Sequence, residues 1–282
     1  MTFTTLMSTD QLAHHGADPH VVTVDCRFRL DDPSWGHHAY LESHIPGAVY
    51  LHLDDHLSGP KTGENGRHPL PDPAVFARTL GHLGVTRGMQ VVAYDQDNGM
   101  YASRLWWLLR WLGHDAVAVL DGGFRKWTDE KRPVVSDTSR RPPVVFDAAL
   151  RPDMVANAEE VALRIGAPDW RLVDARAPER YRGEVEPIDK VAGHIPTAVN
   201  HFFQSNLDDR GIMLAPAKLR THFKDALDDT KPDHVVCYCG SGVTACQNLL
   251  ALEHAGFTGA KLYPGSWSEW SSDPSRPTEK SR

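Results

Sequence analysis

The chain repeats itself, and the repeat limits the possible folds more than any other feature. Val91-Val92-Ala93-Tyr94-Asp95 is matched by Val235-Val236-Cys237-Tyr238-Cys239 at an offset of 144 residues. Asp25-Cys26-Arg27 is matched by Asp174-Ala175-Arg176 at 149, and His44-Ile45-Pro46 by His194-Ile195-Pro196 at 150. Gly122 and Trp127 are matched by Gly265 and Trp270 at 143. Offsets that drift by a few residues reflect short loop insertions between two copies of one unit. A period this long gives two globular copies, not a solenoid. The 282 residues, 41% hydrophobic and 24% charged, allow each copy its own core.

Within each copy, short apolar runs alternate with helical patterns. Val21–Cys26, Val91–Tyr94 and Ala116–Leu120 read as strands buried on both faces, with helices over Pro73–Leu83 and Tyr101–Leu112. The second copy gives strands at Arg171–Ala175, His234–Tyr238 and Lys261–Tyr263, and helices at Ala217–Leu227 and Thr244–Ala255. This order predicts an α/β fold in which each copy is a parallel sheet flanked by helices on both faces. The proline-bearing polar stretch 138–152 reads as a linker between domains 1–137 and 153–282.

In open parallel sheets, ligands sit beyond the carboxyl ends of the strands. Cys239 falls there, at the start of Cys239-Gly240-Ser241-Gly242-Val243-Thr244, between a strand and a helix. The unpaired N–H groups and dipole of a helix amino end stabilise a thiolate. Gly240 and Gly242 remove side chains so that amides can converge on an anion. Cys237, inside the strand, and Cys246, in the first helical turns, read as inert buried thiols. In the first copy Asp95 stands at the Cys239 position. A carboxylate there repels an anion and lacks the nucleophilicity of a thiolate, so the first domain is expected to be catalytically inactive. A zinc site built on Cys237, Cys239 and Cys246 lacks a fourth ligand at suitable spacing. A Cys237–Cys239 redox pair requires a strand residue to turn toward the loop.

These motifs together resemble the two-domain rhodanese-type sulfurtransferases: Asp-x-Arg and His-Ile-Pro in both copies, and a cysteine loop in the second alone. The resemblance covers nearly the whole chain and implies tandem rhodanese-like domains. The Cys-Gly-Ser-Gly-Val-Thr loop is similar to that of the 3-mercaptopyruvate branch, whereas the thiosulfate branch usually carries Arg and Lys at the second and third positions. The resemblance implies that the Cys239 thiolate takes a sulfur from a donor and holds it as a persulfide. Amides of Gly240, Gly242, Val243 and Thr244 would stabilise that species. An acceptor thiol, a thioredoxin-like protein among them, or cyanide would then remove the sulfur, with no metal or organic cofactor.

The same resemblance implies a Ser–His–Asp-like set of Ser241, His68 and Asp54, the last two from the first domain, with the site at the domain interface. Arg182, in Tyr181-Arg182-Gly183, matches one arginine that binds the donor carboxylate. The second is expected after Glu186-Pro187, where this chain has Ile188. Losing that fork would cost roughly 1.5–3 kcal/mol, or one to two powers of ten in affinity, so thiosulfate stays open as a donor. Cell-cycle dual-specificity phosphatases share the fold, but they place an arginine six positions after the cysteine to grip phosphate. Ala245 occupies that position here. A persulfide carrier that loads once and does not turn over is the non-enzymatic alternative.

The net charge of -7 argues against nucleic-acid or anionic-membrane surfaces. The amino terminus lacks signal-peptide features and no apolar run approaches ~20 residues. With four cysteines, too few for a disulfide scaffold, the expectation is a cytoplasmic protein.

Overall fold

The computed structural model describes residues 2–281. They form two units, each with its own parallel sheet. The first comprises Met1–Gly59, Pro71–Arg151 and Asp209–Ile212; the second comprises Pro60–Leu70, Pro152–Asp208 and Met213–Arg282. Residues 60–70 belong to the first copy in sequence but pack with the second unit.

In the first unit the chain runs β1 (Leu6–Met7), α1 (Thr9–His15), β2 (Val21–Asp25), α2 (Trp35–Glu42) and β3 (Val49–Tyr50). It continues through α3 (Pro73–His82), β4 (Gln90–Tyr94), α4 (Met100–Trp111), β5 (Val117–Leu120) and α5 (Gly123–Asp129). The sheet order is β1-β5-β4-β2-β3, with every pairing parallel. All residues of β2, β4 and β5 are buried, as a sheet covered on both faces requires. Asp72 caps α3 by accepting from the N–H groups of Ala74 and Val75, and Pro73 sets the first helical φ. Residues 138–151, expected as a linker, lie along this unit. Val144 N–H donates to Gly81 at 2.9 Å, Ala149 to Leu112 at 2.9 Å, and Phe146 is buried.

The second unit contains α6 (Ala158–Leu163), β6 (Arg171–Asp174), α7 (Pro178–Tyr181), β7 (Val199–Asn200) and α8 (Pro216–Leu227). After these come β8 (Val235–Tyr238), α9 (Ala245–Ala255), β9 (Lys261–Leu262) and α10 (Ser266–Trp270). Its parallel sheet has the order β7-β6-β8-β9. The core gathers Leu172, Val236, Tyr238, Tyr263, Trp267 and Trp270. Gly256, at φ +92°, stops α9 in the left-handed conformation.

The duplication extends to individual hydrogen bonds. Arg27 pairs with Asp25 at 2.7 Å and donates to the Ser43 carbonyl at 2.6 Å; Arg176 pairs with Asp174 at 2.6 Å and donates to the Gly193 carbonyl at 2.7 Å. His44 Nδ1 meets the Tyr40 carbonyl at 2.7 Å, and His194 Nδ1 meets the Tyr181 carbonyl at 2.8 Å. Tyr94 and Tyr238 accept through their hydroxyls from Ile45 and Ile195 N–H at 3.3 and 3.2 Å. These contacts tie the end of each central strand to the His-Ile-Pro turn. They give the Asp-x-Arg and His-Ile-Pro motifs an anchoring role in both copies.

Candidate active site

β8 runs buried to Tyr238, and the chain leaves the sheet at Cys239. The side chain of Cys239 is 2% exposed. Its Sγ accepts the Ser241 N–H at 3.5 Å, so a loop amide two residues on already faces the sulfur. The backbone of Cys239 is held from α10: Cys239 N–H donates to Ser266 Oγ at 3.1 Å, and Trp267 N–H donates to the Cys239 carbonyl at 3.0 Å. Ser266 reaches this position at φ +55°, and its Oγ donates in turn to the Tyr263 carbonyl at 2.9 Å. Holding a serine in the left-handed region costs on the order of 1 kcal/mol, a strain placed where the loop backbone is fixed.

Space and backbone conformation require the glycine at 242, whereas at 240 a Cβ would meet only the ends of two arginine side chains. Gly242 has φ +73°, and a Cβ there would lie 2.4 Å from the Pro264 carbonyl oxygen. Gly240 faces two guanidinium groups: a Cβ would meet Arg67 Nη2 at 3.0 Å and Arg180 Nη1 and Nη2 at 3.6 and 3.7 Å. Val243 and Ser241 are buried, and Thr244 leads into α9.

His68 is buried, and its Nδ1 lies 2.8 Å from Ser241 Oγ. This pair arises because the segment 60–70 packs with the second unit. Arg67 N–H donates to Ser268 Oγ at 2.9 Å, and Gly66, at φ +84°, stands against the backbone of Gly265. Asp54 belongs to the first unit, in the turn after β3, where its N–H donates to His52 Nδ1 at 3.2 Å.

The structure corrects the placement of Arg182. Its guanidinium pairs with Glu184 at 2.7 Å, and the side chain is 37% exposed. Arg180 and Arg67 stand at the loop instead. Arg182 follows the last residue of α7 and Arg180 lies inside it. Two residues on a helix are about 200° apart, so the two arginines face nearly opposite ways. The Ile188 segment folds back on Glu186, whose Oε1 accepts the N–H groups of Ile188 and Asp189, each at 3.1 Å. Glu186 pairs with Arg180 at 2.7 Å, and Asp189 bridges Arg67 at 2.7 Å and Arg180 at 3.2 Å. Burial favours a protonated Glu186, but the Arg180 bond and the two amides outweigh it and hold the carboxyl below its ordinary range.

The other thiols differ from Cys239 in their surroundings. Burial pushes the Cys26 and Cys237 thiols well up, away from the reactive anion, and Cys246 donates to the Gly242 carbonyl at 3.3 Å. In the first unit, Asp95 is fully buried and turns its carboxylate onto its own loop. Oδ1 accepts from Gly99 N–H at 2.9 Å and Oδ2 from Tyr101 at 2.8 Å and Ala102 at 3.2 Å.

The rhodanese-like domain family matches the chain twice, over residues 8–130 and 157–273. The chain belongs to the two-domain rhodanese-type sulfurtransferases. A probable 3-mercaptopyruvate sulfurtransferase of Pseudomonas aeruginosa is 46% identical over 279 residues, covering 98% of both chains. A putative thiosulfate sulfurtransferase, SseB, of Mycobacterium tuberculosis is 42% identical, covering 92% of this chain and 90% of its own. The crystal structure of the 3-mercaptopyruvate sulfotransferase SseA of Escherichia coli superposes with a TM-score of 0.81 at 31% identity. That match covers 94% of this chain and 99% of SseA. This rhodanese-type sulfurtransferase thus has the tandem α/β architecture expected from its repeat. Among its described residues, no helix is long and apolar enough to cross a membrane.

Proposed function

We propose that the chain is a 3-mercaptopyruvate sulfurtransferase with Cys239 as its nucleophile. The observation that carries the donor assignment is the 2.8 Å contact between His68 and Ser241 inside the cysteine loop. The Cys239 thiolate attacks the donor sulfur, forming the S–S bond as the C–S bond breaks. The bonding pair of that C–S bond leaves on carbon as the enolate of pyruvate, which must gain a proton. Ser241 and His68 form a hydrogen-bonded pair suited to carry the donor's thiol proton to that carbon. The products are pyruvate and a Cys239 persulfide, and atoms balance without an external oxidant.

Loop amides beginning with Ser241 N–H stabilise the terminal sulfur. A thiol or cyanide then attacks that sulfur, returns Cys239 as thiolate and completes turnover. Small thiols and a thioredoxin-like protein are the acceptors we propose. All four cysteines are free, in keeping with a reducing, cytoplasmic setting.

Thiosulfate is the second reading, favoured by the names of several relatives. Its leaving group, sulfite, departs without needing a proton, so it makes no use of the Ser241–His68 pair. Steady-state turnover with each donor, in wild type and Cys239→Ser, tests the proposal. Mercaptopyruvate is expected to give the higher kcat/KM, and Cys239→Ser is expected to abolish transfer from both. A wide margin in favour of thiosulfate would overturn the donor assignment, and single loading without turnover would make the protein a carrier.

A further inference from the structure

Arg180 and Arg67 each commit part of their guanidinium to a carboxylate. Arg180 uses Nε and Nη2 on Glu186 and Asp189; Arg67 uses Nη1 on Asp189. Among the described residues, Arg180 Nη1 and Arg67 Nη2 make no hydrogen bond, and the buried Arg67 Nε also has no partner. The two open Nη groups are the ones beside Gly240, at 3.6 and 3.0 Å from its Cβ position. Two guanidinium groups, fixed by one shared aspartate, therefore present unpaired N–H donors at the residue following the nucleophile.

We infer that Arg67 determines donor specificity: with Arg180 it forms a guanidinium pair beside Gly240 that binds the donor's carboxylate, replacing the arginine absent at Ile188. The inference rests on the mercaptopyruvate reading and adds the residue that recognises the acid group. Three features support it. The sulfur and carboxylate of mercaptopyruvate are separated by only two carbons, so an anion subsite one residue beyond Cys239 matches the donor's size. Asp189, directly after Ile188, reaches both arginines and fixes their orientation before the donor arrives, which lowers the entropy lost on binding. The cluster is also charge-balanced, with Arg67, Arg176 and Arg180 set against Asp174, Glu186 and Asp189. Without surplus positive charge, it favours directional hydrogen bonding to a monoanionic carboxylate over attraction of a thiosulfate dianion.

The test compares two donors with the same thiol: 3-mercaptopyruvate and mercaptoacetone, which has a methyl group in place of the carboxylate. In Arg67→Gln, kcat/KM for mercaptopyruvate is expected to fall about tenfold, chiefly through KM. The value for mercaptoacetone is expected to change less than twofold. Arg67→Lys, which keeps the charge without the fork, is expected to fall between the two enzymes and provides the same comparison if the glutamine variant does not fold. Equal losses with both donors would show a merely structural arginine and overturn the inference, as would an unchanged KM for mercaptopyruvate. In either case, wild-type turnover and Cys239 loading would leave the proposed function standing. Failure of wild type to load Cys239 from mercaptopyruvate would overturn both.

Discussion

Asp95 and Cys239 directly follow equivalent strands, β4 and β8, and each begins a loop that runs into a helix. The frames around them match: Phe124 N–H donates to the Asp95 carbonyl at 2.8 Å, as Trp267 N–H does to the Cys239 carbonyl at 3.0 Å. Arg125 and Ser268 repeat the match one residue on, at Gln96 and Gly240, at 2.8 and 2.9 Å. What fills the amide cradle differs. In the first unit the protein's own carboxylate accepts the N–H groups of Gly99, Tyr101 and Ala102. In the second, a thiol stands at that position, glycines flank Ser241, and the Ser241 N–H donates to the sulfur. The same strand–loop–helix thus makes a closed structural anchor when its first residue is an acid, and turns a loop amide onto the sulfur when it is a thiol. The expectation that Asp95 would repel a donor needs a sharper physical reason: the carboxylate occupies the donors that an incoming anion would use.

The largest expected effect separates the two loops by chemistry. Cys239→Ser is expected to lower sulfur transfer by on the order of a thousandfold or more. Asp95→Asn is expected to leave kcat within twofold below its unfolding temperature. Loss of transfer in the aspartate variant while both units stay folded would break the comparison.

The next effect concerns pH. Burial raises the Asp95 carboxyl from 3.8 to about 6, against the opposing bonds from Ala102, Gly99 and Tyr101. Its folded pKa lies above the unfolded value, so its contribution to stability is fully present below pH 3.8 and is lost as pH rises through about 6. The loss amounts to roughly 3 kcal/mol. Asp95→Asn has no such group but leaves two N–H groups facing an amide donor. Denaturant titrations should find it destabilised, with a deficit that shrinks between pH 4 and pH 7. A deficit that grows with pH would contradict the assignment.

His68→Asn sharpens the donor side of the contrast. About a hundredfold loss of kcat is expected with mercaptopyruvate, and a much smaller loss with thiosulfate, whose leaving sulfite needs no proton. Equal losses would remove His68 from proton transfer. The smallest effect compares glycines. Gly242→Ala forces a Cβ to 2.4 Å from the Pro264 carbonyl oxygen, whereas Gly99→Ala meets only Val119 Cγ1, at 3.3 Å. Both pay for a positive φ at about 1 kcal/mol, but only Gly242→Ala is expected to cost activity, by about tenfold, in parallel measurements of melting temperature and rate.

Much of this was legible in the sequence because the repeat and the apolar runs report local structure directly. The strands Gln90–Tyr94 and Val235–Tyr238 and the helices from Pro73 and Pro216 lie within a residue or two of their expected ends. Short elements such as β3 and α7 carry too few residues for a periodic signal. Arg67 and Arg180 stand beside Gly240 without a direct sequence signal, for different reasons. Arg180 lies two positions before Arg182, the arginine that the motif marks, and a helical turn places the two on nearly opposite faces. Arg67 reaches the loop only because residues 60–70 pack with the second unit, a long-range event that no local pattern encodes.

The most direct test of the contrast between Asp95 and Cys239 is peptide mass mapping with fragment-ion sequencing, which separates Cys237, Cys239 and Cys246, after brief treatment with 3-mercaptopyruvate in the absence of acceptor. One additional sulfur atom is expected on the peptide containing Cys239, removed on adding cyanide, with Cys26, Cys237 and Cys246 unmodified. Sulfur carried by any of those three instead, or an unmodified Cys239 in an enzyme that still turns over, would contradict the account.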